Sequence, residues 1–161
     1  MTTDETQTNI EAFYRIAEDG FGGNLAVFDD YIAADIVVHT PVGPFEGREA
    51  LKKYIKDTFA AIPDYTVRIE DGVGDGDLVA GRFVQAGRQT GEAQAMGLPA
   101  TGNRFETPGA LFARFENGHC VEMWSIWDKM ELLQQLELFP DSARKIVGLL
   151  VGQLKRRLAG R

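Results

Sequence analysis

Three polar side chains in this sequence adjoin apolar segments and are candidates for chemistry. Asp128 follows a run rich in aromatic residues, His39 closes an apolar run, and Arg82 lies inside another. A carboxylate that faces an apolar cavity loses hydration and becomes suited to proton transfer near neutral pH. An imidazole at the rim of a sheet can transfer a proton or orient a carbonyl group, and a guanidinium can anchor an anion or a carbonyl group.

Each of these residues also has a structural interpretation. Asp favours helix N-caps because its carboxylate accepts hydrogen bonds from the free N–H groups of the first turn, and a helix is predicted after Asp128. The residues alone favour that cap over a catalytic role. His39 is equally well explained as a structural histidine bonded to backbone, and the sequence leaves open whether Arg82 is an outward charge or a buried anchor.

The periodicity of apolar residues places these candidates on helices and strands. Helical spacing is found over 9–18, 25–32, 48–61 and 129–136, and strand patterns over 36–40, 65–70, 78–88, 105–116 and 121–128. Asn117-Gly118 predicts a hairpin. Helices, then a run of antiparallel strands, then a helix predict an α+β fold in which a curved antiparallel sheet wraps around N-terminal helices and encloses a pocket.

Composition sets the broad class of the protein. The chain has 161 residues, 44% of them apolar, and a formal net charge of −7. We expect a single domain over 1–161, with a core at about 9–138 and a basic helical extension over 141–161. The acidic charge disfavours nucleic acid, and membrane binding is not expected. The N-terminus lacks the features of a secretory signal and Cys120 has no partner for an internal disulfide, which predicts a cytoplasmic protein.

Other catalytic and metal-binding patterns fit poorly. The acidic and glycine-rich run over 70–77 lacks the ending of a phosphate loop, and Arg82 stands where a calcium loop needs a carboxylate. That run is interpreted as a polar hairpin turn. The two histidines and one cysteine supply no zinc cluster, so we expect neither metal nor cofactor. His119, after the predicted hairpin, is interpreted as solvated.

Five short segments occur in a distinctive order between about residues 9 and 138. They are 37–41 (VVHTP), 45–51 (FEGREAL), 60–64 (AAIPD), 90–92 (TGE) with 97–102 (GLPATG), and 127–128 (WD) leading into 132–136 (LLQQL). In this order they resemble the SnoaL-like polyketide cyclases, within the nuclear transport factor two-like superfamily. The basic segment after Pro140 departs from that family's pattern, which normally stops near Leu136.

The resemblance implies a cone-shaped fold with an interior pocket and an acid–base carboxylate at Asp128, which reverses the preference for a cap alone. His39 matches a motif histidine. The resulting hypothesis is a cofactor-independent enzyme that closes a ring by an intramolecular aldol-type reaction on a bulky, apolar carbonyl substrate. Asp128 would move the proton, and His39 or Arg82 would stabilise the enolate. Five residues are expected to shape the cavity: Phe45, Met96, Phe105, Trp124 and Ile126.

Alternatives to cyclisation remain on the same fold. They are a hydroxylase, a hydratase or epoxide hydrolase, an isomerase, and a non-catalytic module for small-molecule binding or dimerisation. We also expect a homodimer, because Met123 and Trp127 are predicted on the exposed side of the sheet. The extension over 141–161 is expected to form an amphipathic helix docked on the acidic body.

Overall fold

The computed structural model describes residues 3–139 of the chain, in which helices pack on one face of a six-stranded sheet. The predicted helix over 141–161 lies outside the described residues. The elements in chain order are α1 Thr3–Tyr14, a π-helical segment Arg15–Gly20, α2 Ala26–Tyr31, β1 Ile32–His39, β2 Phe45–Glu46, α3 Arg48–Ala61, β3 Thr66–Asp75, β4 Leu78–Arg88, a 3-10 turn Gln94–Met96, β5 Arg104–Glu116, β6 His119–Trp127 and α4 Lys129–Gln135.

The sheet has the strand order β2-β1-β6-β5-β4-β3 and is not closed. The predicted α+β class is therefore confirmed, with one difference in the sheet. Strand β1 runs parallel to β6, whereas the other neighbours are antiparallel. Parallel neighbours need a long connection, and here it contains α3 and four further strands of the same sheet. Local periodicity carries no information about such a distant pairing.

The inner face of the sheet packs against α1 and α3 and forms the main core. Its strand residues include Val79, Phe83 and Leu111, which cluster with Phe13 of α1. A Cβ at Gly81 would lie 2.8 Å from the Phe13 ring. One at Gly72 would lie 2.9 Å from the Tyr14 hydroxyl. Glycine at these strand positions therefore lets α1 approach the sheet.

That packing explains most of the run over 70–77, which had been interpreted as a hairpin turn. Asp75 is still paired with Leu78 in the β3–β4 ladder, so only Gly76 and Asp77 form the turn. Gly76 has a positive φ of 62°. The turn prediction is right for these two residues. It is wrong for the residues before them, whose glycines pack against α1.

The buried face of strand β6 is the opposite one from the face that the sequence predicted. Met123 is fully buried in the core, and Ser125 and Trp127 follow it on the inner face, whereas Ile126 is 56% exposed. The expectation that Met123 and Trp127 form the exposed side is therefore wrong. Large apolar residues occupy both faces of this strand, so alternation alone could not decide which face is buried.

The outer face, defined here by two rows of residues across the sheet, is apolar at its centre. The ladder registers align Asp71, Arg82, Ala110 and Ile126 in one row and Val73, Ala80, Phe112 and Trp124 in the next. Val73 is 71% exposed, and the described helices pack on the other side of the sheet.

We propose that a second copy of the chain covers this outer face. Apolar patches of this kind on one side of a sheet commonly mark interfaces. Arg82 and the acidic Asp71 lie side by side in one row. A two-fold axis that passes between these two residues would bring the base of one copy to the acid of the other.

Ile126→Lys should separate the two copies, because it places a charge in the apolar centre of the outer face. Analytical ultracentrifugation at micromolar concentration should show a dimer for the original chain and a monomer for the variant. Ala60→Lys, at an exposed position of α3, is the matched control and should stay dimeric. A monomeric original chain would contradict the proposal.

Candidate functional site

Two small cavities lie between α3 and the inner face of the sheet. Chamber 1 holds about 50 Å³ beneath the second half of α3 and the loop that contains the 3-10 turn. Its wall consists of Tyr54, Asp57, Thr58, Ala61, Ile62, Tyr65, Gln85, Ala93, Gln94, Ala95, Met96, Phe105, Trp127 and Leu132.

Chamber 2 lies beneath the first half of α3 and holds about 40 Å³. Its wall consists of Phe21, Val38, Thr40, Phe45, Leu51, Tyr54, Ile55, Tyr65, Val67, Phe83, Gln85, Leu111, Met123, Ser125 and Trp127. Both walls are mainly apolar, with a few hydroxyl and amide groups.

Four side chains form a partition shared by the two chambers. Tyr54 comes from α3, Tyr65 precedes β3, Gln85 points inward from β4, and Trp127 ends β6. Each chamber has room for only a few water molecules, whereas ligand pockets usually hold about 300–1,000 Å³. A drug-sized ligand therefore fits only if partition side chains move, and such a movement would join the chambers.

A chain of neutral hydrogen bonds crosses the partition. The Tyr65 hydroxyl donates to Gln85 Oε1 at 2.9 Å, and Gln85 Nε2 donates to Thr107 Oγ1 at 3.1 Å. Gln85 and Thr107 are opposite each other in the β4–β5 ladder, and Thr107 is fully buried. Because buried polar groups need partners, these bonds fix the position of the amide between the chambers.

The phenols of the partition stay uncharged over the physiological pH range. Burial raises the pKa of Tyr65 far above its ordinary value. Burial also raises the pKa of Tyr54, although a hydrogen bond with the Thr58 side chain opposes that shift. The polar groups between the chambers are therefore neutral hydrogen-bonding groups.

Among the residues that the structure describes, one carboxylate belongs to a chamber wall. Asp57 lies on α3 in the wall of chamber 1, and its Oδ2 accepts a hydrogen bond from Lys53 Nζ at 2.5 Å. The Asp57 side chain is 33% exposed, so it lies at the mouth of the chamber. The sequence analysis did not select this residue.

Asp128 is the N-cap of α4, as the structural interpretation predicted. Its Oδ1 accepts hydrogen bonds from the backbone N–H groups of Met130, at 2.8 Å, and Glu131, at 3.1 Å. The residue is exposed and lies outside both chamber walls, although its neighbour Trp127 belongs to both. The cap is thus confirmed, and a catalytic role stays a prediction.

His39 lies on the outer face of the sheet. Its Nε2 is 2.9 Å from Glu122 Oε1, and its ring stacks on Trp124 with 5.5 Å between centroids and a 7° interplanar angle. Val38 and Thr40, on either side, point into chamber 2. His39 ends β1 at a rim of the sheet, as expected, and strand alternation turns its side chain to the outer face; a catalytic role for it stays a prediction.

Arg82 also lies on the outer face. Its guanidinium pairs with Asp71 Oδ2 at 2.6 Å and contacts Glu70 as well. Of the two readings left open by the sequence, the outward charge is right. The sheet lies between Arg82 and the chambers, and a role for Arg82 in binding a substrate stays a prediction.

The predicted cavity residues divide into two groups. Phe45 lines chamber 2, and Met96 and Phe105 line chamber 1. Trp124 and Ile126 line neither chamber, because they lie on the outer face of β6 and not on the inner face as predicted. That the first three bind a substrate stays a prediction.

Sequence reasoning missed the polar partition. A signal was available in the strands themselves: Gln85 follows Phe83, and Thr107 follows Phe105, at alternate positions of apolar strands. Polar residues at inward positions must find partners, so their pairing was open to prediction once the strands were aligned. The alignment itself required the structure.

The fold and the site define a single class of protein: an α+β chain in which helices and a mixed sheet enclose a small, largely apolar interior with neutral polar groups. The sequence profile of the SnoaL-like polyketide cyclases matches residues 11–136. The chain therefore belongs to the SnoaL-like polyketide cyclase family. None of the curated proteins matches the chain in sequence.

Solved structures agree with this assignment. IdmH from Streptomyces antibioticus, a proposed polyketide cyclase, is 33% identical over 83% of this chain and 99% of its own, with a TM-score of 0.65. A proposed polyketide cyclase from Acidithiobacillus ferrooxidans is 26% identical over 86% of this chain and 99% of its own, with a TM-score of 0.65. A SnoaL-like protein from Jannaschia sp. CCS1 is 19% identical over 87% and 99%, with a TM-score of 0.77, which bears on the fold alone.

Two further observations concern residues 3–139 only. No helix there is both long enough and apolar enough to cross a membrane. No group of three or more histidine, cysteine, aspartate and glutamate side chains in that range is arranged to hold a metal ion.

Thr107→Val should destabilise the protein by about 1–3 kcal/mol, because it keeps the side-chain volume but leaves the buried Gln85 amide without its acceptor. Urea denaturation would measure the change in the free energy of unfolding. Thr66→Val, at an exposed position of β3, is the control and should change it by less than about 0.5 kcal/mol. Equal effects of the two changes would show that the hydrogen bond contributes nothing.

Cys120 should not react with thiol reagents in the folded protein. Burial raises the pKa of its thiol to about 12, although a hydrogen bond to the Glu122 carbonyl opposes the shift. The reactive thiolate is therefore scarce at mildly alkaline pH and also inaccessible. Labelling with dithiobis(nitrobenzoate) should require denaturant, and rapid labelling without it would contradict the burial.

Proposed function

We propose that the chain is an enzyme of the polyketide cyclase type, which closes a ring by an intramolecular aldol-type reaction without a cofactor. The observation that carries this proposal is the pair of adjoining apolar chambers with neutral hydrogen-bond donors between them. An apolar carbonyl compound needs that combination, since its carbon skeleton prefers apolar walls and its oxygen needs a donor.

The reaction has a simple balance. A carboxylate takes a proton from a carbon beside a carbonyl group, and the electron pair of that C–H bond moves to the carbonyl oxygen as an enolate. The enolate carbon then bonds to a second carbonyl carbon of the same molecule, whose oxygen takes up a proton. The product is an isomer of the substrate, and nothing is oxidised or reduced.

The enolate oxygen would be stabilised by neutral donors of the partition. His39 and Arg82 lie on the other side of the sheet, so this role falls to the Tyr54 hydroxyl and the second N–H of the Gln85 amide. Fixed donors in a water-poor interior stabilise developing charge more strongly than the same groups do in water. The raised pKa of Tyr54, caused by burial, keeps its phenol protonated as a donor.

Asp128 is the carboxylate that the family resemblance indicates for proton transfer. Both of its cap hydrogen bonds go to Oδ1. A cap and a proton carrier are therefore compatible in one side chain, with Oδ2 used for the chemistry. Asp128 directly follows Trp127, which borders both chambers, although Asp128 itself is exposed and belongs to neither wall.

The resemblance to IdmH supports a cyclase, and the alternatives differ in the product. Apolar metabolites that co-purify with the protein would be identified by mass spectrometry and incubated with fresh protein. Aldol closure predicts a product of unchanged mass with one fewer carbonyl group that reacts with hydroxylamine. A product heavier by one water indicates a hydratase and one heavier by one oxygen a hydroxylase, whereas binding without conversion indicates a non-catalytic module.

Asp128→Asn should fold normally yet lose turnover by about 100-fold or more, because Asn caps helices about as well as Asp but cannot accept and return a proton. Asp128→Ala should lose turnover and also about 1 kcal/mol of stability, because it removes the cap. Turnover of a co-purified substrate and thermal unfolding would measure the two effects. An Asn variant with near-normal turnover would leave Asp128 as a cap only.

A further inference from the structure

Asp57 is the carboxylate best placed to reach a molecule inside the chambers. Within residues 4–139, no other Asp or Glu belongs to the wall of either chamber. It lies one helical turn after Tyr54 and directly before Thr58, and these three residues share the wall of chamber 1. A molecule in chamber 1 would therefore border both the Tyr54 side chain and the Asp57 carboxylate.

Lys53 holds the Asp57 carboxylate in a defined orientation. The ammonium group lies 2.5 Å from Asp57 Oδ2, one helical turn earlier on the same helix. The ion pair uses Oδ2, so Oδ1 is the oxygen available for contact with a substrate.

We infer that Asp57 is a catalytic residue that removes the proton from the carbon beside the substrate carbonyl. This inference rests on the proposed function and divides its proton transfers between two carboxylates. Asp57 takes the proton as the C–H bond breaks, the electron pair moves to the carbonyl oxygen, and Asp57 then releases the proton to water at the chamber mouth. After ring closure the alkoxide takes a proton from water through Asp128, so no proton is gained or lost overall.

The first step can be tested without the natural substrate. The compact apolar ketone 2-tetralone exchanges the protons beside its carbonyl group for deuterium in D₂O, and NMR follows the loss of these protons. The full chain should accelerate this exchange over buffer. Asp57→Asn should reduce the accelerated rate by about 100-fold, the usual scale for loss of a general base.

Matched variants separate chemistry from structure. Glu49→Gln removes one negative charge from the same helix at a side chain that is 81% exposed, and it should keep the original exchange rate. Asp57→Glu keeps the carboxylate and should restore part of the rate that Asp57→Asn loses. Thermal unfolding of all variants should match that of the original chain, because Asp57 makes only its ion pair at the surface.

The outcomes separate this inference from the proposed function. Loss of exchange in Asp57→Asn, with exchange kept in Glu49→Gln, supports the inference even if no co-purified metabolite is cyclised. Exchange kept in Asp57→Asn but lost in Asp128→Asn overturns the inference and leaves the proposed cyclase intact. A full chain that does not accelerate exchange at all also overturns it.

Discussion

The hydrogen bonds from Tyr65 through Gln85 to Thr107 determine what the interior of this protein can hold. They place a primary amide among apolar side chains, where an unpaired amide would be costly. Two features set their geometry. The β4–β5 register places Gln85 opposite Thr107, and Tyr65 lies at the end of the segment that connects α3 to β3. Because the amide is held at both ends, it offers its remaining N–H group from a fixed position between the two chambers.

Charge in this protein is kept at the edges of that interior. Asp57 is paired with Lys53 at the mouth of chamber 1, Asp128 caps α4, and Arg82 is paired on the outer face. Surface ion pairs such as those of Asp57 and Arg82 contribute little to stability, whereas the Asp128 cap contributes about 1 kcal/mol. A neutral interior bordered by carboxylates suits a reaction in which an apolar molecule loses and regains a proton.

Local patterns predicted many of the helices and strands, but they could not predict which strands pair when these lie far apart in the chain. The predicted bounds of α3 and β4 equal the observed ones, and the hairpin at Asn117-Gly118 and the cap at Asp128 were also found. The prediction of which face of β6 is buried was wrong, because both faces of this strand carry large apolar residues. His39 ends β1 at a rim of the sheet, as expected, and its side chain lies on the outer face against Trp124.

The central claim is that ligands bind on the inner face of the sheet, and the two tryptophans test it directly. Trp127 borders both chambers, whereas Trp124 lies on the outer face of the same strand beneath His39. Titration with 2-tetralone, followed through the two indole N–H signals in NMR spectra, should shift the Trp127 signal and leave that of Trp124 unchanged. A shift confined to Trp124 would place the ligand on the outer face and contradict the account.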